Sequence, residues 1–556
     1  MHNRLDLDLQ TAAGIDNFSR FMSEAGDLVV SYGGSLSGEH GDGQLRANQL
    51  IKMYGPDLVR AFAEFKRIFD PDGRMNPGKV VAPYSPQQNL RLGTDYRPRQ
   101  VETHFVYPED AKGFADAVNR CFGIGKCRRM KGDGEAGGGT MCPSFMVTRE
   151  EMHSTRGRAR LLFEMMSGHL RAGGWRDRHV KEALDLCLSC KGCKGDCPVS
   201  VDMATYKAEF LAHYYHGRLR PRQAYALGLV PLWARLASHA PGLANAAMAA
   251  PLPGSLAKRA AGVEPRRSAP GLAGQTFRDW FASHQPPADG TDVLLWPDTF
   301  TNYFTPEVGI AAVGVLEAAG CRVRLPEKTL CCGRPLYDYG MLPTAKRWLK
   351  QILAEMREPL EAGLPVIGLE PSCLAVFRDE LLNLFPSDVD ARRLAGQSVT
   401  LAEFLTSRDY QPGRLDRDAL VQVHCHHGAV LGYRSEQALL EQMGLGLTIP
   451  DSGCCGMAGS FGFEHGRRYE VSQACGERVI LPAVRAAPDD TLIIADGFSC
   501  REQIAQGTDR RPLHLAQVLS LAGQDAPDAY PERSLWQEPP RSATLLRAPG
   551  WAPPRE

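Results

Sequence analysis

The chain has no excess of either charge: 64 Lys and Arg are matched by 64 Asp and Glu. That balance argues against nucleic acid or an acidic polymer as a partner. No apolar run reaches the ~18–20 residues that a membrane span needs, so no transmembrane segment is expected. The start, MHNRLDLDLQ, is polar and charged and reads as no secretory signal. These absences point to a cytoplasmic protein, with length for roughly three or four domains. What the chain does have is cysteine, 16 in all. In a reducing compartment, clustered cysteines read as metal ligands or redox thiols rather than a disulfide framework.

The segments fall into blocks. Residues 1–83 are compact and end in NPGKVVAP; 84–100, rich in Pro, Gln and Arg, form a linker. Residues 101–215 hold seven cysteines between helical segments, and 216–289 are a helical connector closing in a Pro/Ala/Gly-rich link. An apolar stretch at 225–236 (YALGLVPLWARL) is expected to be a packed core helix, the alternative being contact with a membrane or partner. A weak internal repeat follows over 290–390 and 418–522. Each half has a short apolar strand, a helix (near 306–319 and 435–443), Cys-Cys-Gly, and a strand leading to Ser-Cys. Alternating strands and helices predict a parallel α/β sheet in each half. The Pro- and Arg-rich tail, 523–556, is expected to be disordered.

In LCLSCKGCKGDCPV, Cys187, Cys190, Cys193 and Cys197-Pro198 form the Cys-x2-Cys-x2-Cys-x3-Cys-Pro run of bacterial ferredoxins. Three closely spaced thiolates wrap one face of a cubane, and the fourth ligates the other cluster of a two-cluster module. A zinc site is the weaker reading, because zinc usually takes two separated Cys pairs. The second run is degenerate. Cys121 and Cys127 flank Ile124 at the middle position, and Cys142-Pro143 follows a glycine-rich insertion. The expected ligand sets are Cys187, Cys190, Cys193 and Cys142 for a [4Fe–4S] cluster, with Cys121, Cys127 and Cys197 left over. Three thiolates suit a [3Fe–4S] cluster or a second [4Fe–4S] cluster with a non-cysteine ligand. Arg156, Arg158 and Arg160 open a helix after Cys142, either as charge compensation near a cluster or as a solvated helix start.

In the repeat, glycine after each adjacent pair permits a turn that splays two thiols. The second half offers Cys425, Cys454, Cys455 and Cys500; the first offers Cys331, Cys332 and Cys373, with Asp298 nearest to the missing fourth position. Cys373, Cys425 and Cys500 are expected at the carboxyl ends of strands, where open α/β sheets place their ligands. Cys321 and Cys475 read as ordinary buried residues. One of His424, His426 and His427 could serve a cluster sulfide, a substrate thiol or a quinone. Near the amino terminus, YGGSLSGEHGDGQLR sets Glu39 and His40 in a Gly-rich turn, ahead of a helix at 57–69 with Leu58, Phe62, Phe65 and Phe69 on one face.

The Cys-Cys-Gly repeat resembles the CCG domain of heterodisulfide reductase subunits and of the iron–sulfur subunits of glycolate oxidase and anaerobic glycerol-3-phosphate dehydrogenase. In those proteins each motif ends in Cys-x2-Cys; here Val376 and Gln503 replace the last cysteine. One cluster, or a cluster and a redox-active thiol pair, is therefore expected. The Gly-Glu-His-Gly segment resembles the end of the FAD-linked oxidase C-terminal domain of D-lactate, glycolate and D-2-hydroxyglutarate dehydrogenases. That resemblance implies that Glu39, with His2, ligates a divalent metal (Zn or Mn) gripping a 2-hydroxy acid. His40 removes the hydroxyl proton as hydride passes to flavin.

The order of parts resembles the fused FAD-linked oxidase/iron–sulfur oxidoreductases of bacteria. It implies an α/β multidomain protein: an α+β FAD-linked oxidase C-terminal fragment, a helical two-cluster ferredoxin-like domain and a duplicated parallel α/β CCG domain. No FAD-pyrophosphate segment precedes residue 31, so a flavin-binding domain or subunit is expected to supply FAD. The implied function is the electron-transferring portion of an FAD-dependent D-2-hydroxy-acid dehydrogenase, delivering electrons to a quinone, cytochrome or other carrier. A peripheral position at the inner face of the cytoplasmic membrane goes with a quinone. The other readings are a stand-alone iron–sulfur electron-transfer subunit and a heterodisulfide-reductase-like thiol/disulfide reductase.

Overall fold

A computed structural model describes residues 5–110, 113–129, 139–168, 173–522 and 531–532. His2, most of the glycine-rich insertion, and the tail apart from Pro531 and Glu532 lie outside the described residues. The chain divides into two compact units, Met1–Arg99 and Gln100–Glu556.

In the first unit, the helix Ala12–Ser31 starts at Thr11, whose hydroxyl accepts the Gly14 N–H. It packs against the helix Leu50–Phe69. Lys52 joins the two through Asp27 at 2.8 Å. The second helix starts seven residues before the expected position. Its first turn is set off by Gly55, which takes the left-handed φ of +74° ahead of Pro56. Of the anticipated apolar face, Leu58, Phe65 and Phe69 are exposed.

Among its described residues the second unit has seven parallel strands: β1 Thr291–Trp296, β2 Cys321–Arg324, β3 Val366–Gly368, β4 Ser398–Thr400, β5 Asp418–Val421, β6 Gly446–Thr448 and β7 Leu492–Ile494. They form one sheet in the order β2-β1-β3-β4 and another in the order β6-β5-β7. The first crossovers use the helices Pro306–Ala318 and Arg434–Gln442, within a residue or two of the ranges expected from sequence. Val293, Leu295 and Ile367 of one sheet share a buried core with Ala419, Val421 and Ile494 of the other. Two sheets sharing one core fix the relative positions of the loops at their carboxyl ends.

The seven-cysteine block packs on those loops as a set of short helices. Gly195 lies so close to the Ala429 backbone that a Cβ there would approach to 3.1 Å. A strap at residues 103–107 crosses both parts. His104 and Phe105 donate N–H groups to Glu209, and Val106 and Tyr107 donate to the Asn383 side chain.

The expectation of a packed core helix at 225–236 is corrected. In the helix Val230–Ala237 only Ala234 is buried, while Leu232, Trp233 and Leu236 are 51–67 % exposed. Apolar spacing alone does not say whether a stripe meets a core or the outside.

Candidate functional site

All sixteen cysteines are free thiols, and most are buried. Cys121, Cys127 and Cys197 line one small cleft together with Gly123, Gly125, Thr155 and Arg156. Gly123 and Gly125 take φ near +85°, which bends the loop around that cleft. Cys142, Ser189 and Lys191 adopt the same left-handed backbone without being glycine, and each adjoins or is a cluster-motif cysteine. Strained non-glycine positions gather where a site over-determines the backbone.

Backbone amides point at the sulfurs. The Arg156 N–H lies 3.4 Å from Cys127 Sγ, Thr155 N–H 2.8 Å from Cys142 Sγ, and Met203 N–H 3.4 Å from Cys193 Sγ. Such bonds stabilise sulfur ligands in their anionic form. Cys142 also touches the Cys127 thiol, and this contact pulls Cys127 down to about 6 against the opposing effect of burial. Cys187, Cys190 and Cys193 are buried around a separate turn. Of the three arginines after Cys142, Arg158 is buried and bonds the Ala183 carbonyl and Ser144, Arg156 pairs with Glu151, and Arg160 pairs with Glu164.

In the cysteine-rich half the strands are shorter than the sequence implied. Cys373 and Cys500 ride on the first turns of the helices Pro371–Ala375 and Phe498–Gly507, just beyond β3 and β7. Cys425 likewise follows β5 in a loop leading to the π-helical turn His427–Leu431. Gly497 allows the His424 ring to close on that loop: a Cβ would meet it at 2.2 Å.

The two cysteine groups differ. In the second, Cys425, Cys454, Cys455 and Cys500 form a continuous set of thiol contacts. Contact with Cys454, helped by His424, pulls Cys425 down to about 7 despite burial. In the first, Cys332 Sγ lies 2.8 Å from Cys373 Sγ, with Cys331 beside them. Asp298 beside that group is engaged as a cap: Oδ1 accepts the Phe300 and Thr301 N–H, and Oδ2 accepts the Thr301 hydroxyl. Burial, reinforced by Glu370, pushes that carboxyl up to about 6. Glu370 ties the groups together by accepting the Phe498 N–H at 2.8 Å. At the positions lacking a final cysteine, Val376 is fully buried, and Gln503 bonds the buried Arg267 at 2.7 Å.

The seven-cysteine block meets the second group directly. Cys190, Cys425 and Cys454 are buried in one apolar cluster with Leu186, Leu188 and Phe461. The contact is locked by charges that no local sequence pattern announces. Lys191, fully buried between Cys190 and Cys193, lies 2.8 Å from Asp202, 2.6 Å from Asp379 and 3.2 Å from Glu380. Burial alone would pull the ammonium down; the three carboxylates hold it well above its usual value. Arg334, next to the first Cys-Cys-Gly, bonds Glu380 at 2.7 Å and the Ser189 carbonyl at 3.0 Å. In the first unit, Glu39 and His40 are adjacent and exposed, with Oε1 and Nε2 3.5 Å apart.

The donor set suits iron–sulfur clusters: groups of three and four free thiols, water-poor surroundings and amides aimed at sulfur. Comparison with known proteins agrees. Family models match for "FAD linked oxidases, C-terminal domain" at residues 1–80, "4Fe-4S dicluster domain" at 116–201 and "Cysteine-rich domain" at 299–378. A D-2-hydroxyglutarate dehydrogenase of Pseudomonas putida is 26 % identical over 93 % of this chain and 54 % of its own length. A subunit of the anaerobic glycerol-3-phosphate dehydrogenase of Escherichia coli is 30 % identical over 47 % of the chain and 67 % of its own length. A lactate utilization protein of Bacillus velezensis is 32 % identical over 41 % of the chain and 98 % of its own length. The chain thus spans about half the length of the dehydrogenases it matches.

Proposed function

As this chain belongs to the bacterial fused FAD-linked oxidase and iron–sulfur oxidoreductase family, we propose that it is the electron-transferring portion of an FAD-dependent D-2-hydroxy-acid dehydrogenase. The observation carrying this reading is the burial of Cys190, from the ferredoxin run, beside Cys425 and Cys454 in one apolar cluster. Clusters bound there would supply one-electron transfer, dividing a two-electron hydride event into single steps. Cys187, Cys190 and Cys193 would hold a [4Fe–4S] cluster in this reading, with Cys142 as fourth ligand once it leaves its contact with Cys127. Cys121, Cys127 and Cys197 hold a [3Fe–4S] cluster or a second [4Fe–4S] cluster.

The two parallel sheets are read as a duplicated CCG domain with unequal halves. Four contacting thiols support Cys425, Cys454, Cys455 and Cys500 as the cluster site. Cys331, Cys332 and Cys373, with Asp298 already engaged as a cap, serve as the thiol group. Glu39, with His2, would hold a divalent metal (Zn or Mn) that grips the hydroxy acid, and His40 would take the hydroxyl proton. FAD is held mainly by a further domain or subunit. D-2-hydroxyglutarate and D-lactate are the substrates to try.

The test is iron, acid-labile sulfide and EPR on anaerobically purified protein. About eight or more irons per chain, roughly two cubanes or more, with signals that change on dithionite reduction, is the expected result. Little iron and sulfide, with zinc bound to the cysteines, would overturn it.

The connector points to where the acceptor lies. Residues 216–261 carry Arg218, Arg220, Arg222, Arg235, Lys258 and Arg259 and no acid. The helices Val230–Ala237, Pro241–Ala249 and Pro251–Ala261 expose Leu232, Trp233, Leu236, Leu243, Leu252 and Leu256. Among the described residues no helix is long and apolar enough to cross a membrane. Basic helices with exposed apolar side chains instead lie in the plane of an anionic bilayer surface. The protein is therefore read as peripheral to the membrane, with a quinone as acceptor. It is expected to co-sediment with phosphatidylglycerol vesicles, and Trp233→Ser with Leu236→Ser should weaken this at least ~10-fold (about 1.4 kcal/mol). Equal recovery with and without vesicles would remove the membrane from the proposal.

A further inference from the structure

A second group of metal-ligating side chains lies behind the Cys425 loop and takes no part in holding its sulfurs. His427 comes from the π-helical turn, Glu436 from the helix Arg434–Gln442, and Asp496 from the turn after β7. One ligand atom from each lies within 4.8 Å of the other two, and all three residues are at least nine-tenths buried. His427 Nδ1 is 3.5 Å from Glu436 Oε2. Two donors on one tetrahedral zinc, each about 2.0–2.1 Å from the ion, stand ~3.3 Å apart. Glu436 Oε2 is buried and has no hydrogen-bond partner.

Asp496 Oδ1 accepts the Leu515 N–H at 2.9 Å, but among the described residues no Lys or Arg pairs with either carboxyl. His514 Nε2 approaches Asp496 Oδ1 at 3.6 Å but lies 2.9 Å from the Leu369 carbonyl, and its Nδ1 accepts the Ala516 N–H. That pattern fixes His514 as the neutral tautomer with its proton on Nε2. The Arg501 guanidinium is engaged by the Ala495 and Asp496 backbone carbonyls. Tyr433 packs edge-on against the His427 ring at 5.2 Å and brings no charge. Two buried carboxyls in contact, faced by an imidazole, need either a shared proton or a cation.

We propose that His427, Glu436 and Asp496 hold a divalent first-row cation, zinc by donor preference. One imidazole nitrogen and two carboxylate oxygens balance the charge of the ion and leave a fourth position open. The ion would join the π-helical turn, a crossover helix and the end of β7, and so fix the loop carrying Cys425 two residues upstream. This role is separate from the iron–sulfur reading and stands whatever the cysteines bind.

Anaerobically purified full-length protein is loaded with zinc, or with cobalt as a spectroscopic probe, dialysed and analysed for metals. The expected result is one zinc per chain above the iron, and cobalt d–d bands without thiolate-to-cobalt charge transfer. Glu436→Gln and Asp496→Asn, isosteric changes, should each lower zinc occupancy at least tenfold while iron and sulfide stay at the parent level. Parent protein that retains no zinc, or whose cobalt spectrum is that of thiolate ligation, would overturn the proposal. So would zinc retention equal in parent and variants.

Discussion

Replacing Cys425 with Ala removes one cluster and stops electrons leaving the ferredoxin block. Cys425 shares a buried cluster with Cys190 and acts on it electrostatically, so in the proposed reading it would be both a ligand and a sulfur at the contact. Iron should fall by about four per chain, one cubane's worth, with the ferredoxin EPR signals retained. Electron delivery from reduced protein to an external acceptor should drop at least ~100-fold, about 2.7 kcal/mol of barrier. Two companion variants give the result its meaning. Cys321→Ala, in a buried strand position that contacts none of the other cysteines, should leave iron unchanged. Cys331→Ala, in the three-thiol group, should alter thiol titre and leave cluster iron in place. If Cys331→Ala loses as much iron as Cys425→Ala, the two halves are equivalent and the assignment of one cluster to the second half fails.

The second large effect belongs to Lys191. Its Nζ lies within 3.2 Å of carboxylates from Asp202, Asp379 and Glu380, and it has no exposed surface. Lys191→Met leaves those acids facing one another with one cation fewer. Breaking a buried pair by removing one partner costs about 3–5 kcal/mol, because a charge is left uncompensated. The variant should therefore unfold at clearly lower urea, and its iron content should fall because Cys190 and Cys193 flank the substituted residue. Removing the partners as well tests the cause: Lys191→Met with Asp379→Asn and Glu380→Gln should recover much of the loss, since an apolar or neutral replacement of a whole buried pair is often close to neutral. A single variant as stable as the parent would mean that water or neighbouring groups compensate the acids. Arg334 and Lys194 are the groups placed to do so.

How much of this can be read from the sequence depends on how local each feature is. The ferredoxin run is legible because its ligands lie within eleven residues, Cys187 to Cys197. The strand–helix alternation of the cysteine-rich half is legible for the same reason: β1 and the helices after β1 and β5 fall where the apolar runs place them, while β5 starts earlier and ends at Val421, short of Cys425. Lys191 is different. Two of its three acids lie 188 and 189 positions away in the chain, and a lysine between motif cysteines looks solvated until the fold brings Asp379 and Glu380 over it. Asp298 occupies the aligned position of a ligand, and only the helix that begins at Thr299 reveals its use as a cap. The 225–236 stretch misleads because its spacing suits a buried or an exposed apolar face equally well.

The strap at residues 103–107 bears on how such a chain can be divided between separate polypeptides. Its backbone donors are satisfied by Glu209 on one side and Asn383 on the other, and Phe105 is fully enclosed. Gene fission near Arg99 would cut between the two compact units and leave every one of these bonds within a single product. Fission in the connector would part the strap from Asn383, Lys191 from Asp379 and Cys190 from Cys425, leaving each fragment with polar and sulfur groups that only the other can satisfy. In this chain the ferredoxin block and the cysteine-rich half therefore depend on each other, and separating them across residues 216–289 is expected to lower the solubility of each part.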